Sequence, residues 1–143
     1  MSLLSMLLVA AQALLLFALA MSGPLLPRGW PVFPVLAGTL LGLWSVWAMR
    51  RSKLRIHPEP HPEAALVQHG PYRWIRHPMY SAVLLVAAGW VFAAPAVWRV
   101  LAGCLLVAVL LAKLCREERL WSDRMPAYRD YMKRTKRLIP FLY

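Results

Sequence analysis

Two polar clusters interrupt an otherwise apolar chain of 143 residues. The first, His69 to Tyr80, reads HGPYRWIRHPMY and combines two histidines, two arginines and two tyrosines. The second, Cys115 to Trp121, reads CREERLW and follows one apolar hairpin. Carboxylates can hold hydroxyl or ammonium groups, and arginine binds a carboxylate through two parallel hydrogen bonds. We therefore predict that the clusters meet in one site for a zwitterionic, partly apolar cofactor and a lipid substrate.

Composition indicates a membrane protein. Hydrophobic residues make up 60% of the chain, against roughly 45–50% in soluble domains. The formal net charge is +11, yet only 16% of residues are charged. The basic residues occur in blocks between apolar runs, which is typical of membrane topology and anionic headgroups rather than nucleic-acid binding. We therefore expect an integral membrane protein with no nucleic-acid partner.

Four apolar runs predict an all-α integral membrane bundle of about four transmembrane helices. The runs are Leu3–Met21, Val32–Met49, Met79–Phe92 and Val97–Leu114. About 20 residues at 1.5 Å each span the ~30 Å hydrocarbon core of a bilayer. A signal peptide is the alternative for the first run, since residues 18–20 resemble a cleavage site. No basic residue precedes that run, so we expect it to remain as a span.

The basic residues predict the orientation of the bundle. Six lie between residues 50 and 76 and nine between 113 and 137, so two segments hold fifteen of the seventeen Lys and Arg residues. Loops rich in Lys and Arg stay cytoplasmic. We therefore expect both termini and both polar clusters at the cytoplasmic face of a bacterial inner membrane. Trp121 to Lys136 is expected to form an amphipathic surface helix, with the apolar tail Ile139 to Tyr143 packing back on the bundle.

Two other patterns predict no metal site and no disulfide. His57 and His61 are four residues apart in HPEPHPE, but the intervening prolines exclude the helix that would align them as ligands. Cys104 and Cys115 share one predicted helix, on which they would be ~16 Å apart, too far for a disulfide. We interpret both cysteines as packing residues.

The order of several motifs carries a resemblance to a known family. GPYRWIRHPMY, an apolar hairpin, EER and AYRDYMKRTKRLIP together resemble the integral-membrane methyltransferases, the isoprenylcysteine carboxyl methyltransferase and phospholipid N-methyltransferase group. The resemblance covers about Ile56 to Pro140. Pro126 stands where many relatives have Gly, and Gly38 and Gly42 do not reproduce the Gly-x-Gly of the phospholipid enzymes.

The resemblance implies a cofactor and roles for particular residues. It implies S-adenosylmethionine as methyl donor, S-adenosylhomocysteine as product, and a lipid or isoprenoid-linked acceptor that enters from the bilayer. The implied cofactor-binding residues are Tyr72, His77, Pro78, Tyr80, Glu117 and Glu118. The implied catalytic residues are Arg73, Arg76 and Glu118. The two arginines are candidates for the cofactor carboxylate or for the polar end of the substrate.

The acceptor remains open at this point. A carboxylate acceptor needs no general base, whereas an amine acceptor must lose a proton to Glu118, Glu117 or His77. We expect an isoprenylcysteine carboxyl methyltransferase-like enzyme. The alternatives are a phospholipid (ethanolamine) N-methyltransferase and a non-enzymatic membrane subunit or assembly factor. A transporter is disfavoured, because the only ionisable residues in the apolar runs are near their ends.

The sequence predicts one domain built in four parts. Residues 1–49 hold two spans, 50–78 a cytoplasmic connector with the RHP motif, 79–114 a transmembrane hairpin, and 115–143 the EE motif and surface helix.

Overall fold

The computed structural model describes residues 2–50 and 66–143, and in these the fold is all-α. The helices are α1 Leu3–Met21, α2 Val32–Met49, α3 Pro78–Ala93, α4 Val97–Arg124 and α5 Pro126–Arg134. A single 3-10 turn, Gly70–Arg73, precedes α3. The predicted all-α fold is confirmed, and α1 and α2 have the predicted bounds. The prolines and histidines of the HPEPHPE connector lie outside the described residues.

The long helices differ in their capacity to cross a membrane. Among the described residues, α1, α2 and α4 are long and apolar enough to be membrane spans. α3 is apolar but has only 16 residues, which at 1.5 Å each give it a length of ~24 Å. The predicted count of about four membrane helices therefore holds, with α3 the shortest of them.

Small residues let α2 and α3 pack closely. A Cβ atom at Gly38 would lie 2.6 Å from the Ala82 carbonyl oxygen, and one at Gly89 would lie 2.8 Å from the Pro31 carbonyl oxygen. Neither contact is tolerable for a real side chain. A core of buried side chains from α1, α3 and α4 fills the other side of α3: Leu19, Ala87, Leu106 and Leu110.

The C-terminal region differs from the prediction in where its helices end. α4 continues to Arg124 rather than yielding to a surface helix at Trp121. Pro126 begins α5, because proline has no N–H to lose at the first helical position. The predicted packing of the apolar tail on the bundle is not seen: Ile139, Phe141 and Leu142 are 51%, 86% and 75% exposed.

The helices alternate in direction, so the bundle has two distinct ends. We call the site end the one that holds the start of α1, the end of α2, the start of α3 and the charged part of α4. Arg116 of α4 donates to Ser5 Oγ of α1 at 3.1 Å there. The opposite end, which we call the hairpin end, holds the α1–α2 and α3–α4 connections. The two predicted polar clusters therefore lie at the same end.

A short backbone pairing joins the first polar cluster to the C-terminal segment. Ile75 and Lys136 form a parallel bridge, in which Arg76 N donates to Lys136 O at 2.8 Å and Lys136 N donates to Trp74 O at 3.0 Å. His77 N then donates to Arg137 O at 3.0 Å. This pairing fixes which basic residues of the C-terminal segment face the site.

Candidate functional site

Glu118 lies at the centre of the site. Its side chain is 4% exposed, and each of its carboxylate oxygens accepts a hydrogen bond from an arginine. Arg76 Nε donates to Oε1 at 2.6 Å, and Arg137 Nε donates to Oε2 at 3.0 Å. The His77 Nε2 atom lies 3.5 Å from Oε1. Glu118 is therefore the anion that gathers three cationic or polar side chains from distant parts of the sequence.

The pKa of Glu118 follows from these contacts. The apolar part of α4 ends at Leu114, so Glu118 lies beyond the membrane-spanning segment. Burial alone would raise the pKa of this carboxyl, but His77 and Arg76 outweigh burial and lower the pKa from 4.5 to about 2. These contacts therefore favour the ionised form of Glu118.

Arg76 links three elements through one guanidinium. Besides Glu118, its Nη1 donates to the carbonyl oxygens of Met132, at 3.1 Å, and Thr135. The side chain is only 7% exposed. Since the guanidinium is planar, these contacts hold α4, α5 and the RHP segment in one arrangement.

Glu117 forms the second half of the site with two aromatic rings. Tyr80 OH donates to Glu117 Oε1 at 2.5 Å, and the His77 Nδ1 atom lies 3.6 Å from Oε2. The rings of His77 and Tyr80 stack in parallel, with centroids 5.3 Å apart. Glu117 is 14% exposed, more than Glu118. Its Oε2 atom has no short hydrogen bond within the described residues, so it is the carboxylate oxygen most available to a ligand.

The remaining predicted residues lie at the margin of this cluster. Pro78 is buried as the first residue of α3. Tyr72 OH donates to Met49 Sδ at 2.7 Å, so its hydroxyl is directed towards α2. Arg73 is exposed on the 3-10 turn and makes no ion pair with a described carboxylate. The structure thus joins Arg76, His77 and Tyr80 with Glu117 and Glu118, and places Arg73 and Tyr72 beside them.

The sequence prediction missed two charged residues of the site. Arg137 is one of the nine basic residues that predicted only the orientation of the bundle, but it binds Glu118. Lys113 is another of those nine. It is 7% exposed, and its Nζ donates to Gln12 Oε1 at 2.6 Å and lies 5.1 Å from the centroid of the Tyr80 ring. The feature of the sequence that could have indicated a polar contact for Lys113 is Gln12, a lone amide in an apolar run.

The described ranges contain no group of three or more His, Cys, Asp or Glu side chains placed to hold a metal ion. The chemistry of the cluster is therefore that of carboxylates, guanidinium groups and aromatic rings. Such a set suits a zwitterionic ligand, because it presents both signs of charge beside flat apolar surfaces.

The fold and the site define a helical integral membrane protein with a buried ionic site at one end of its bundle. Residues 30–125 match the family model described as phospholipid methyltransferase, and the protein belongs to that family. It is therefore a membrane methyltransferase that acts on a lipid. No curated protein matches the chain. The match begins just before α2 and ends at Met125, so α1, α5 and Arg137 lie outside it.

Proposed function

We propose that the protein transfers the methyl group of S-adenosylmethionine to the carboxylate of a lipid-like acceptor, as isoprenylcysteine carboxyl methyltransferases do. Family membership gives methyl transfer and a lipid substrate, so the finer choice depends on the acceptor atom. The observation that carries this choice is that Glu118 is paired with two arginines and that Glu117 Oε1 accepts a hydrogen bond from Tyr80, so few proton acceptors of the site are free.

An amine acceptor must give up a proton before it can be methylated at neutral pH. Glu118 is paired with two arginines, and its pKa is lowered to about 2. Both ring nitrogens of His77 face carboxylates. Glu117 Oε1 accepts from Tyr80, which leaves only Oε2. A carboxylate acceptor needs no base, and this arrangement suits it.

The residues present also fit the proposed cofactor. S-adenosylmethionine is a zwitterion with an added sulfonium charge. Glu117, the more exposed carboxylate, would hold the ammonium group or the ribose hydroxyls, and the exposed Arg73 would hold the carboxylate. The stacked rings of His77 and Tyr80 would line the pocket, as would Pro78. The Nε2 atom of His77 is buried without a hydrogen-bond partner, and a bound ligand would supply one.

In this assignment Glu118, Arg76 and Arg137 are positioning residues. They hold the start of α3 and the charged part of α4 at a fixed separation, and Tyr72 supports the same segment through α2. When bound, the cofactor supplies an electrophilic methyl carbon: a lone pair of the acceptor oxygen forms the new O–CH₃ bond while the C–S bond breaks, its electron pair stays on sulfur, and no proton moves. The protein contributes by positioning the reactants and excluding water.

Phospholipid (ethanolamine) N-methylation is the second candidate function, and the description of the matched family favours it. In that case Glu117 Oε2 would be the base. The two candidates differ in the product bond. A methyl ester is cleaved by base and releases methanol, whereas an N-methyl group survives base treatment.

This difference gives the test. The protein in lipid nanodiscs is supplied with methyl-labelled S-adenosylmethionine and either S-farnesyl-N-acetylcysteine or phosphatidylethanolamine. We expect base-labile label in the methyl ester formed from the farnesyl acid. In Glu117→Gln the amount of label incorporated should fall at least ~10-fold, because the cofactor binds more weakly. The matched control, Asp130→Asn, removes an exposed carboxylate that pairs only with Lys133 and should behave as wild type. Base-stable label confined to phosphatidylethanolamine would establish the second function instead.

We also propose that residues 1–143 form one domain with the site end in the cytoplasm of a bacterial inner membrane. Fifteen of the seventeen Lys and Arg residues belong to the two segments predicted for that side. Both described cysteines are exposed, so Cys104→Ser and Cys115→Ser form the background for labelling. A cysteine in place of Lys133 should then react with an impermeant thiol reagent only in inverted vesicles. Reaction in right-side-out vesicles would reverse the orientation.

A further inference from the structure

Lys113 is a buried cation of the site that the proposed binding of the cofactor leaves without a role. It lies in the apolar part of α4, and its side chain is held from two sides. Its Nζ donates to Gln12 Oε1 of α1 at 2.6 Å and lies over the ring of Tyr80, 5.1 Å from the centroid. An ammonium group has three N–H donors. Within the described ranges Gln12 is its one hydrogen-bond acceptor, so two donors remain.

No described carboxylate forms an ion pair with Lys113. The oxygens of Glu117 face Tyr80 and His77, and those of Glu118 face the arginines. An amide and an aromatic face offset the charge only in part. Glu117 lies one turn farther along α4 but makes no ion pair with Lys113. A buried cation with no ion-pair partner is costly, and ionisable groups at membrane depth commonly mark substrate sites. An anionic group bound at Nζ would remove this cost.

Tyr80 connects Lys113 to the proposed cofactor site. One face of its ring lies beneath the ammonium group, while its hydroxyl donates to Glu117 Oε1 at 2.5 Å. An anion on Lys113 would therefore be separated from Glu117 by a single aromatic side chain. Since Lys113 lies one turn before Glu117 on α4, nearer the apolar part of that helix, an acceptor from the bilayer would reach it before reaching Glu117.

We propose that Lys113, held in place by Gln12, binds the carboxylate of the lipid acceptor. The inference rests on the proposed function and assigns its specificity to one residue. Methylation converts the anion to a neutral ester, so the product loses its ion pair with Lys113. The same contact therefore selects the substrate and favours release of the product. It also makes α1, which lies outside the family match, part of the acceptor site.

The test compares binding of S-farnesyl-N-acetylcysteine and of its methyl ester, which differ in one negative charge. Both are titrated into the protein in phosphatidylcholine nanodiscs, saturated with S-adenosylhomocysteine. We expect wild type to bind the acid ~10-fold more tightly than the ester, and Lys113→Gln to bind the two equally with unchanged affinity for S-adenosylhomocysteine. Lys113→Arg should keep a preference for the acid. Lys133→Gln, which removes an exposed ammonium, is the matched control.

The outcomes separate this inference from the proposed function. Equal binding of acid and ester by wild type, with methyl ester still formed from the acid, would reject the role of Lys113 alone. The role of Lys113 would also be rejected if Lys113→Gln still bound the acid more tightly than the ester. The same conclusion would follow if this variant lost affinity for S-adenosylhomocysteine as well. Failure of wild type to methylate the acid would reject the proposed function itself. Phosphatidylglycerol could also be added to the nanodiscs. If it abolished binding of the acid in wild type but not in Lys113→Gln, Lys113 would be the binding site of a lipid phosphate instead.

Discussion

The two ends of the bundle hold buried positive charge in different ways. At the hairpin end, Arg99 is 2% exposed and donates to the backbone carbonyls of Ser22 and Trp90, at 2.8 and 2.5 Å. Both carbonyls lie at the C-terminal ends of helices, where the helix dipole favours a cation. No acidic residue occurs between residues 1 and 58 or between 64 and 116, so the described residues of this end include no carboxylate side chain.

At the site end, side-chain carboxylates act as acceptors in addition to backbone carbonyls, since Arg76 donates both to Glu118 and to the Met132 and Thr135 carbonyls. Arg76 and Arg137 share Glu118, His77 lies between Glu117 and Glu118, and Lys113 has an amide for its one acceptor. A cation whose hydrogen bonds all go to backbone carbonyls at helix ends serves to hold those helix ends together. Side-chain carboxylates can exchange partners with a ligand, so the comparison separates a structural lock from a binding site.

Glu118→Gln should have the largest effect on this comparison. It leaves Arg76 and Arg137 without a counter-charge, and removing one partner of a buried ion pair costs about 3–5 kcal/mol. We expect a lower melting temperature in detergent together with weaker binding of S-adenosylhomocysteine by calorimetry. An unchanged melting temperature would mean that the ion cluster contributes nothing to the fold.

Acid should weaken the site end and spare the hairpin end. The folded-state pKa of Glu118 is about 2, below its ordinary value of 4.5, so its contribution to stability is complete above pH 4.5 and declines as the pH falls towards 2. Thermal unfolding measured between pH 6 and 3 should show this decline in wild type. The decline should be smaller in Glu118→Gln, and equal slopes would contradict the assignment.

Arg99→Met should destabilise the protein without altering its ligand site. The change leaves the Ser22 and Trp90 carbonyls without their buried donor, a loss of about 1–3 kcal/mol. The melting temperature should fall, but the variant that remains folded should bind S-adenosylhomocysteine with wild-type affinity. Binding as weak as that of Glu118→Gln would show that the two ends are coupled. It would contradict the assignment of a structural role to the hairpin end and of ligand binding to the site end.

Asp130→Asn should have the smallest effect. Asp130 and Lys133 form an exposed pair on α5, 2.9 Å apart, with side chains 68% and 76% exposed. Exposed pairs contribute little to stability because water and salt screen them. Melting temperature and ligand affinity should both match wild type within error. A clear loss of affinity would extend the site onto the outer face of α5.

The predicted bounds of α1 and α2 agree with the structure, whereas the predicted end of α4 does not. Apolar runs bounded by Pro, Gly and basic residues specify helices locally, which is why α1 and α2 match their predicted ranges. The sequence predicts a separate surface helix from Trp121, whereas α4 continues to Arg124. Pro126 was the available signal for the true boundary, since a proline that cannot continue one helix commonly begins the next.

Composition and local pattern by themselves determined that this chain is a helical membrane protein, with one charge-rich end and two motifs brought to that end by the α3–α4 hairpin. Hydrophobic length and the alternation of basic loops are properties of short segments, so they can be read without a fold. The tertiary structure decided the partners. Arg137 rather than its basic neighbours binds Glu118, because the bridge between Ile75 and Lys136 sets the register of the C-terminal segment. Lys113 belongs to the site because α1 places Gln12 against it, over 101 residues of sequence separation, and no local pattern encodes that contact.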